Sequence, residues 1–170
     1  MGSGTKADAI RSMGVVHHQG WTAPAIPTEQ IDTVCNDLKD NFWNEDARVI
    51  CNSFGAYIFL HANAQLAEPY IGNVLLLSPI VGEFANNDEA RPMNFIPPRS
   101  TRLMELAQAG SYPTPRHCEM HVGSEDWQAN PDNVTKFGEL VGISVHVVPD
   151  GGHNLPHSYV GAILDKWLLS

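Results

Sequence analysis

The sequence predicts an α/β fold, a parallel sheet covered by helices on both faces, and three observations carry that expectation. Short apolar runs ("ARVIC", "NVLLLSPIVG", "RHCEMHVG", "SVHVVP") alternate with stretches of helical periodicity, and strand–helix alternation implies crossover connections between parallel strands. "NVLLLSPIVG" is apolar for most of its length, as a strand buried on both faces should be. The chain has 170 residues, 43% of them hydrophobic and 17% charged, enough for one domain with a single core. There is no repeat at solenoid spacing, so residues 1–170 read as one domain.

In chain order, residues 3–13 ("SGTKADAIRSM") suit a short helix stopped at Gly14. "VVHH" is a short strand candidate, and "TAPAIP" a proline-punctuated loop. From Thr28, apolar residues at Ile31, Val34, Cys35, Leu38 and Phe42 fall on one helical face. "ARVIC" is a strand, and a helix is expected over about 54–66. After "NVLLLSPIVG" comes a region, residues 83–116, that reads as a short cap-like insertion. Within it "RSTRLMELAQAG" makes one helix, with Ser100 or Thr101 near its start and Gly110 near its end. "RHCEMHVG" and "SVHVVP" are the last strands. Helices are expected over about 132–141 and 158–169, and in the last of these Val160, Ile163, Leu164 and Trp167 share a face.

Charge and composition exclude several functions. The formal net charge is −9, from 10 basic and 19 acidic residues. Lys and Arg do not cluster, so no nucleic-acid or anionic-membrane partner is expected. No apolar run approaches the roughly 18 to 20 residues of a membrane-spanning helix, and the N-terminal residues lack a hydrophobic signal region. Cys35, Cys51 and Cys118 form no CxxC pair. Three such cysteines read as free thiols in a reducing, cytoplasmic compartment. The "NVT" sequon at Asn133 carries little weight outside a secreted context.

Ligands of parallel α/β sheets bind beyond the carboxyl ends of the strands. Ser53 follows "ARVIC", Asp126 follows "CEMHVG" and His153 follows "VHVVP", which places three reactive groups on one rim. A serine hydroxyl needs a base to become a nucleophile, and that base is usually a histidine held by a carboxylate. Each residue has a plainer reading. Ser53 could cap the following helix. Glu125 and Asp132 compete with Asp126, and His146 and His157 with His153. Cys51, two residues before Ser53, is a competing nucleophile. His17 and His18 form a pair, but no carboxylate or cysteine stands at ligand spacing, so no metal is expected and no cofactor is called for.

These motifs resemble those of the α/β-hydrolases, in particular small serine hydrolases with little or no cap. "CNSFGAY" is similar to the G-x-S-x-G elbow, with Gly55 present and Cys51 in the first glycine position. Gly123-Ser-Glu-Asp126 matches the turn that delivers the acid, and Gly151-Gly152-His153 the turn that delivers the base. The resemblance runs from about Ser3 to the C-terminus. It implies a Ser53, Asp126 and His153 triad, with the backbone N–H of Phe54 as one oxyanion donor. The second donor comes from a loop after an early strand, which here implies Gly2, Ser3 or Gly4, with Ser3 chosen. That early central strand, between "VVHH" and "ARVIC", is expected to be missing. Either N-terminal residues are absent from the sequence or the sheet closes without the strand, and a partner, such as a second copy in a homo-oligomer, could cover the gap.

His18, at the rim, and Met93 and Phe95, in "RPMNFIPP", are candidate substrate contacts; Met93, Phe95 and Ile96 read first as core packing and second as the apolar wall of an acyl pocket. With no lid to bury a long chain, short-chain acyl esters are the expected substrates. The leading expectation is hydrolysis of carboxylic esters through an acyl-enzyme. The alternatives are a non-catalytic binding module on the same fold, or a thioesterase, amidase or acyltransferase using the same triad.

Overall fold

The computed structural model describes residues 27–86, 93–95 and 97–169. The helix expected over 3–13, the "VVHH" strand and the question of an early strand fall outside these residues. In order, the elements are α1 (Pro27–Asp40), β1 (Arg48–Asn52), α2 (Phe54–Asn63), β2 (Asn73–Leu77), β3 (Phe84–Asn86), β4 (Met93–Phe95), α3 (Arg102–Gln108), β5 (His117–Gly123), α4 (Pro131–Val141), β6 (Ser144–Val148) and α5 (His157–Leu169). Strands β1, β2, β5 and β6 form one sheet in that order, and every pairing is parallel.

Alternation along β2 sorts the core into two layers. Val74 and Leu76 point to a face shared with Ile31, Cys35 and Leu38 of α1, with α2, and with Leu103 and Phe137 of α3 and α4. Leu75 and Leu77 point the other way, to Val160, Leu164 and Trp167 of α5. The expected sheet with helices on both faces is therefore present, with four described helices on one side and α5 on the other. No described helix is long and apolar enough to cross a membrane.

Some boundaries differ from the sequence reading. α1 stops at Asp40, short of Phe42. The run "NVLLLSPIVG" is a strand only as far as Leu77, because Ser78 takes a positive φ of 47° and Pro79 has no N–H for the ladder. Residues 83–116 hold the expected helix, α3, and also an antiparallel pair, β3 with β4. Those strands are three residues each, too short for alternation to show in the sequence.

Helix α2 is buried on all sides from Ala56 to Asn63, which suits a helix enclosed within a core. It carries a histidine into that core. His61 is 2% exposed, and its ring lies 4.4 Å from that of Tyr57, whose hydroxyl donates to the carbonyl of Pro98. Burial, then the charges of Arg99 and Arg102, pull the His61 pKa down from 6.5 to about 4. Between those values the unfolded chain binds a proton that the folded chain refuses, so stability falls as pH falls through this window. This single group should account for about 2 kcal/mol lost between pH 7 and pH 5. Chemical denaturation at both pH values should show a shallower acid loss in His61→Leu; equal acid losses in the two proteins would remove His61 as the cause.

Candidate active site

Ser53 occupies a single-residue turn between β1 and α2, with φ 55° and ψ −120°. A non-glycine residue there carries about 1–3 kcal/mol of backbone strain, so the surroundings must hold it. Its N–H donates to Leu77 O at 2.9 Å, and its carbonyl accepts from Ala56 and Tyr57 at 3.1 and 3.2 Å. The Ser53 hydroxyl makes no helix-capping bond, which removes the capping reading. Instead Oγ lies 2.6 Å from Nε2 of His153.

The other ring nitrogen of His153, Nδ1, is 3.0 Å from both carboxylate oxygens of Asp126. An ionised carboxylate can only accept, so Nδ1 carries the proton and Nε2 is left to accept from Ser53. Asp126 is 1% exposed. Burial alone would raise its pKa. The bond from His153 and the amides of Ala129 and Gln128 outweigh burial and hold the carboxyl below its ordinary value. Those amides donate to Oδ1 at 2.9 and 3.0 Å, so the acid stays ionised and fixed in place.

The turns that deliver Asp126 and His153 pack directly on each other. Glu125 N–H donates to Gly151 O at 2.8 Å, and Ser124 N–H to Val148 O at 2.9 Å. The Asp150 N–H donates to Ser124 Oγ at 3.0 Å. A Cβ on Gly123 would lie 2.0 Å from Gly151 O, so glycine is needed there for space. A further contact was not foreseen from sequence: Ser78, fully buried, donates from Oγ to the backbone carbonyl of His153 at 2.8 Å. Its own N–H donates to His121 O at 2.7 Å. Ser78 is thus a positioning residue for the histidine turn. Its sequence signal was a serine before proline at the end of an apolar strand.

The competing residues stand elsewhere. Glu125 and Asp132 are exposed, as are His146 and His157. Asp132 lies in the first turn of α4, which Asn130 caps by accepting from the Asp132 and Asn133 amides. Cys51 packs against the core under α1 and α2, and burial pushes its thiol up to about 12, the wrong direction for a nucleophile. Phe54 is the first residue of α2, so the amide next to Ser53 belongs to a helix N-terminus, where negative charge is favoured. Ser3 and His18 lie outside the described residues. Met93 and Phe95 stand in β4, but their side chains are outside the description. A cleft of about 390 Å³ lies against α3, lined by Val81, Glu83, Met104 and Glu105 among others, and none of Ser53, Asp126 and His153 lines it.

Comparison with known proteins bears on the fold. No protein-family model and no curated protein matches the chain. Solved structures do. A protein of Xanthomonas campestris pv. campestris assigned to the alpha/beta hydrolase superfamily matches with a TM-score of 0.60 at 11% identity, covering 96% of this chain and 85% of its own. The monoacylglycerol lipase of Paleococcus ferrophilus matches with a TM-score of 0.60 at 10% identity, over 88% of this chain and 78% of its own. An esterase domain from Rhodothermus marinus matches with a TM-score of 0.53 at 15% identity, over 85% of this chain and 67% of its own.

Proposed function

This chain has the α/β-hydrolase fold, and on it we propose a serine hydrolase that cleaves carboxylic esters. The observation that carries the reading is the continuous relay from Ser53 Oγ through the His153 ring to the buried Asp126, at 2.6 and 3.0 Å. His153 Nε2 takes the hydroxyl proton as Ser53 Oγ bonds to the ester carbonyl carbon. Asp126 steadies the imidazolium that forms. The oxyanion of the tetrahedral intermediate takes the Phe54 N–H at the start of α2 as a donor. His153 then returns the proton to the departing alcohol, leaving an acyl group on Ser53. Water, deprotonated by His153, releases the acid and restores the serine.

Short acyl esters are the proposed substrates; the described part of residues 83–116 supplies one short helix and one short strand pair. Thioesters would follow the same steps. The three cysteines are unpaired, in keeping with a cytoplasmic protein.

A serine-directed fluorophosphonate should label Ser53, as located by peptide mapping, and labelling should vanish in His153→Ala. If folded protein takes no label and leaves p-nitrophenyl acetate intact, the enzyme reading fails and a binding module on the same fold replaces it.

A further inference from the structure

On the sheet face opposite α1–α4, a second cluster of ligating side chains has no part in this chemistry. Glu119 and His121 are two apart on β5 and so share a face. The register sets His146 of β6 directly beside His121, and the two imidazoles stack with centroids 4.6 Å apart. Nε2 of His121 lies 3.5 Å from one carboxylate oxygen of Glu119, and Nε2 of His146 lies 3.9 Å from the other. One ligand atom from each residue falls within 4.8 Å of the others.

The buried member is the informative one. His121 is 4% exposed, and its Nε2, turned toward Glu119, has no hydrogen-bond partner among the described residues. Its Nδ1 is tied to the Tyr159 hydroxyl of α5 at 2.9 Å. The Tyr159 hydroxyl can accept from Nδ1–H or donate to Nδ1. In the tautomer with Nδ1–H donating, Nε2 keeps a lone pair facing a carboxylate, and a cation can sit between two such acceptors. A hydrogen bond that orients the remote nitrogen is also how metal-bound histidines are usually held.

We propose that Glu119, His121 and His146 form a binding site for one divalent transition-metal ion of the Zn²⁺ type. Two imidazoles and a carboxylate are a donor set suited to Zn²⁺, at roughly 2.0–2.2 Å from each donor atom. Tetrahedral bonding at that length spaces donors about 3.4 Å apart, close to the glutamate–histidine distances already present. His146, on the last strand of the described sheet with its side chain 50% exposed, has room to close the remainder, and water can complete the shell. The ion would tie β5 to β6, the strands that lead into the Asp126 and His153 turns. Along the chain only the His17–His18 pair suggests a metal, and no carboxylate or cysteine stands near it at ligand spacing. The register that brings His146 to Glu119 appears only in the fold.

The test does not depend on ester hydrolysis. Metal-free protein is titrated with Co²⁺, followed by its visible absorption, and with Zn²⁺, followed by thermal melting. One Co²⁺ per chain should bind with the strong bands of a four-coordinate site, and Zn²⁺ should raise the melting temperature. His146→Ala and the near-isosteric Glu119→Gln should abolish both responses. Tyr159→Phe should weaken binding about 10- to 100-fold. No saturable binding would overturn the proposal, leaving a shared proton between Glu119 and the imidazoles. Binding unchanged in His146→Ala and Glu119→Gln would overturn it equally, by putting the metal elsewhere.

Discussion

His153→Ala is expected to lower kcat for p-nitrophenyl acetate by about 10⁴- to 10⁶-fold, and Ser53→Ala to do the same. The double variant should be no worse than either single one, because the two groups act as a unit. The geometry supplies the reason. Ser53 Oγ reaches His153 Nε2 at 2.6 Å, and among the described residues it has no other hydrogen-bonded side chain to take its proton. Asp126→Asn separates the electrostatic role from the positional one. The asparagine carbonyl can still accept from the Gln128 and Ala129 amides, which turns its NH₂ toward His153 Nδ1. The imidazole then carries its proton on Nε2 and cannot accept from Ser53. A loss of about 10⁴-fold follows, with little change in thermal stability. Steady-state kinetics on the four variants check this. An Asp126→Asn enzyme within tenfold of the parent would sink the relay, and additive losses in the double variant would mean that Ser53 and His153 act separately.

What the sequence made legible follows from which contacts are local. The parallel sheet was readable because apolar runs and amphipathic stretches alternate along the chain, and four parallel strands with helices on both faces are present. The convergence of Ser53, Asp126 and His153 was foreseeable from a topological rule, since each residue follows a strand and parallel strands end on one rim. Contacts that depend on register were not readable. Nothing in "NVLLLSPIVG" says that Ser78 will meet the His153 carbonyl. Nothing in "CEMHVG" says that Glu119 will face a histidine 27 residues further on. Local strain was also hidden: Ser53 at φ 55° occupies a conformation that its residue type disfavours, and only the hydrogen bonds from neighbouring elements keep it there.

Gly123→Ala should be more damaging than one added methyl group suggests. Ordinary overpacking costs about 1–3 kcal/mol because side chains can shift. Here the new Cβ would sit 2.0 Å from the carbonyl oxygen of Gly151, 2.3 Å from its carbonyl carbon and 2.6 Å from Gly152 O, so backbone must move. That same Gly151 carbonyl accepts from the Glu125 amide at 2.8 Å, so relieving the clash parts the turn bearing Asp126 from the turn bearing His153. The loss of stability should reach or exceed about 3 kcal/mol, and a shift of about 1 Å in the relay should lower kcat on the order of 100-fold. Gly152→Ala is the control, since no described atom beyond its own chain neighbours lies within 4 Å of its added Cβ. Thermal melts and esterase kinetics on both variants distinguish the cases. If Gly123→Ala melts and turns over like Gly152→Ala, the two turns do not lock each other, and the placement of His153 against Asp126 rests on the Ser78 contact and the local turn bonds instead. If Gly123→Ala folds with reduced stability and fluorophosphonate labelling slows in proportion to kcat, glycine at this position is what allows acid and base to approach.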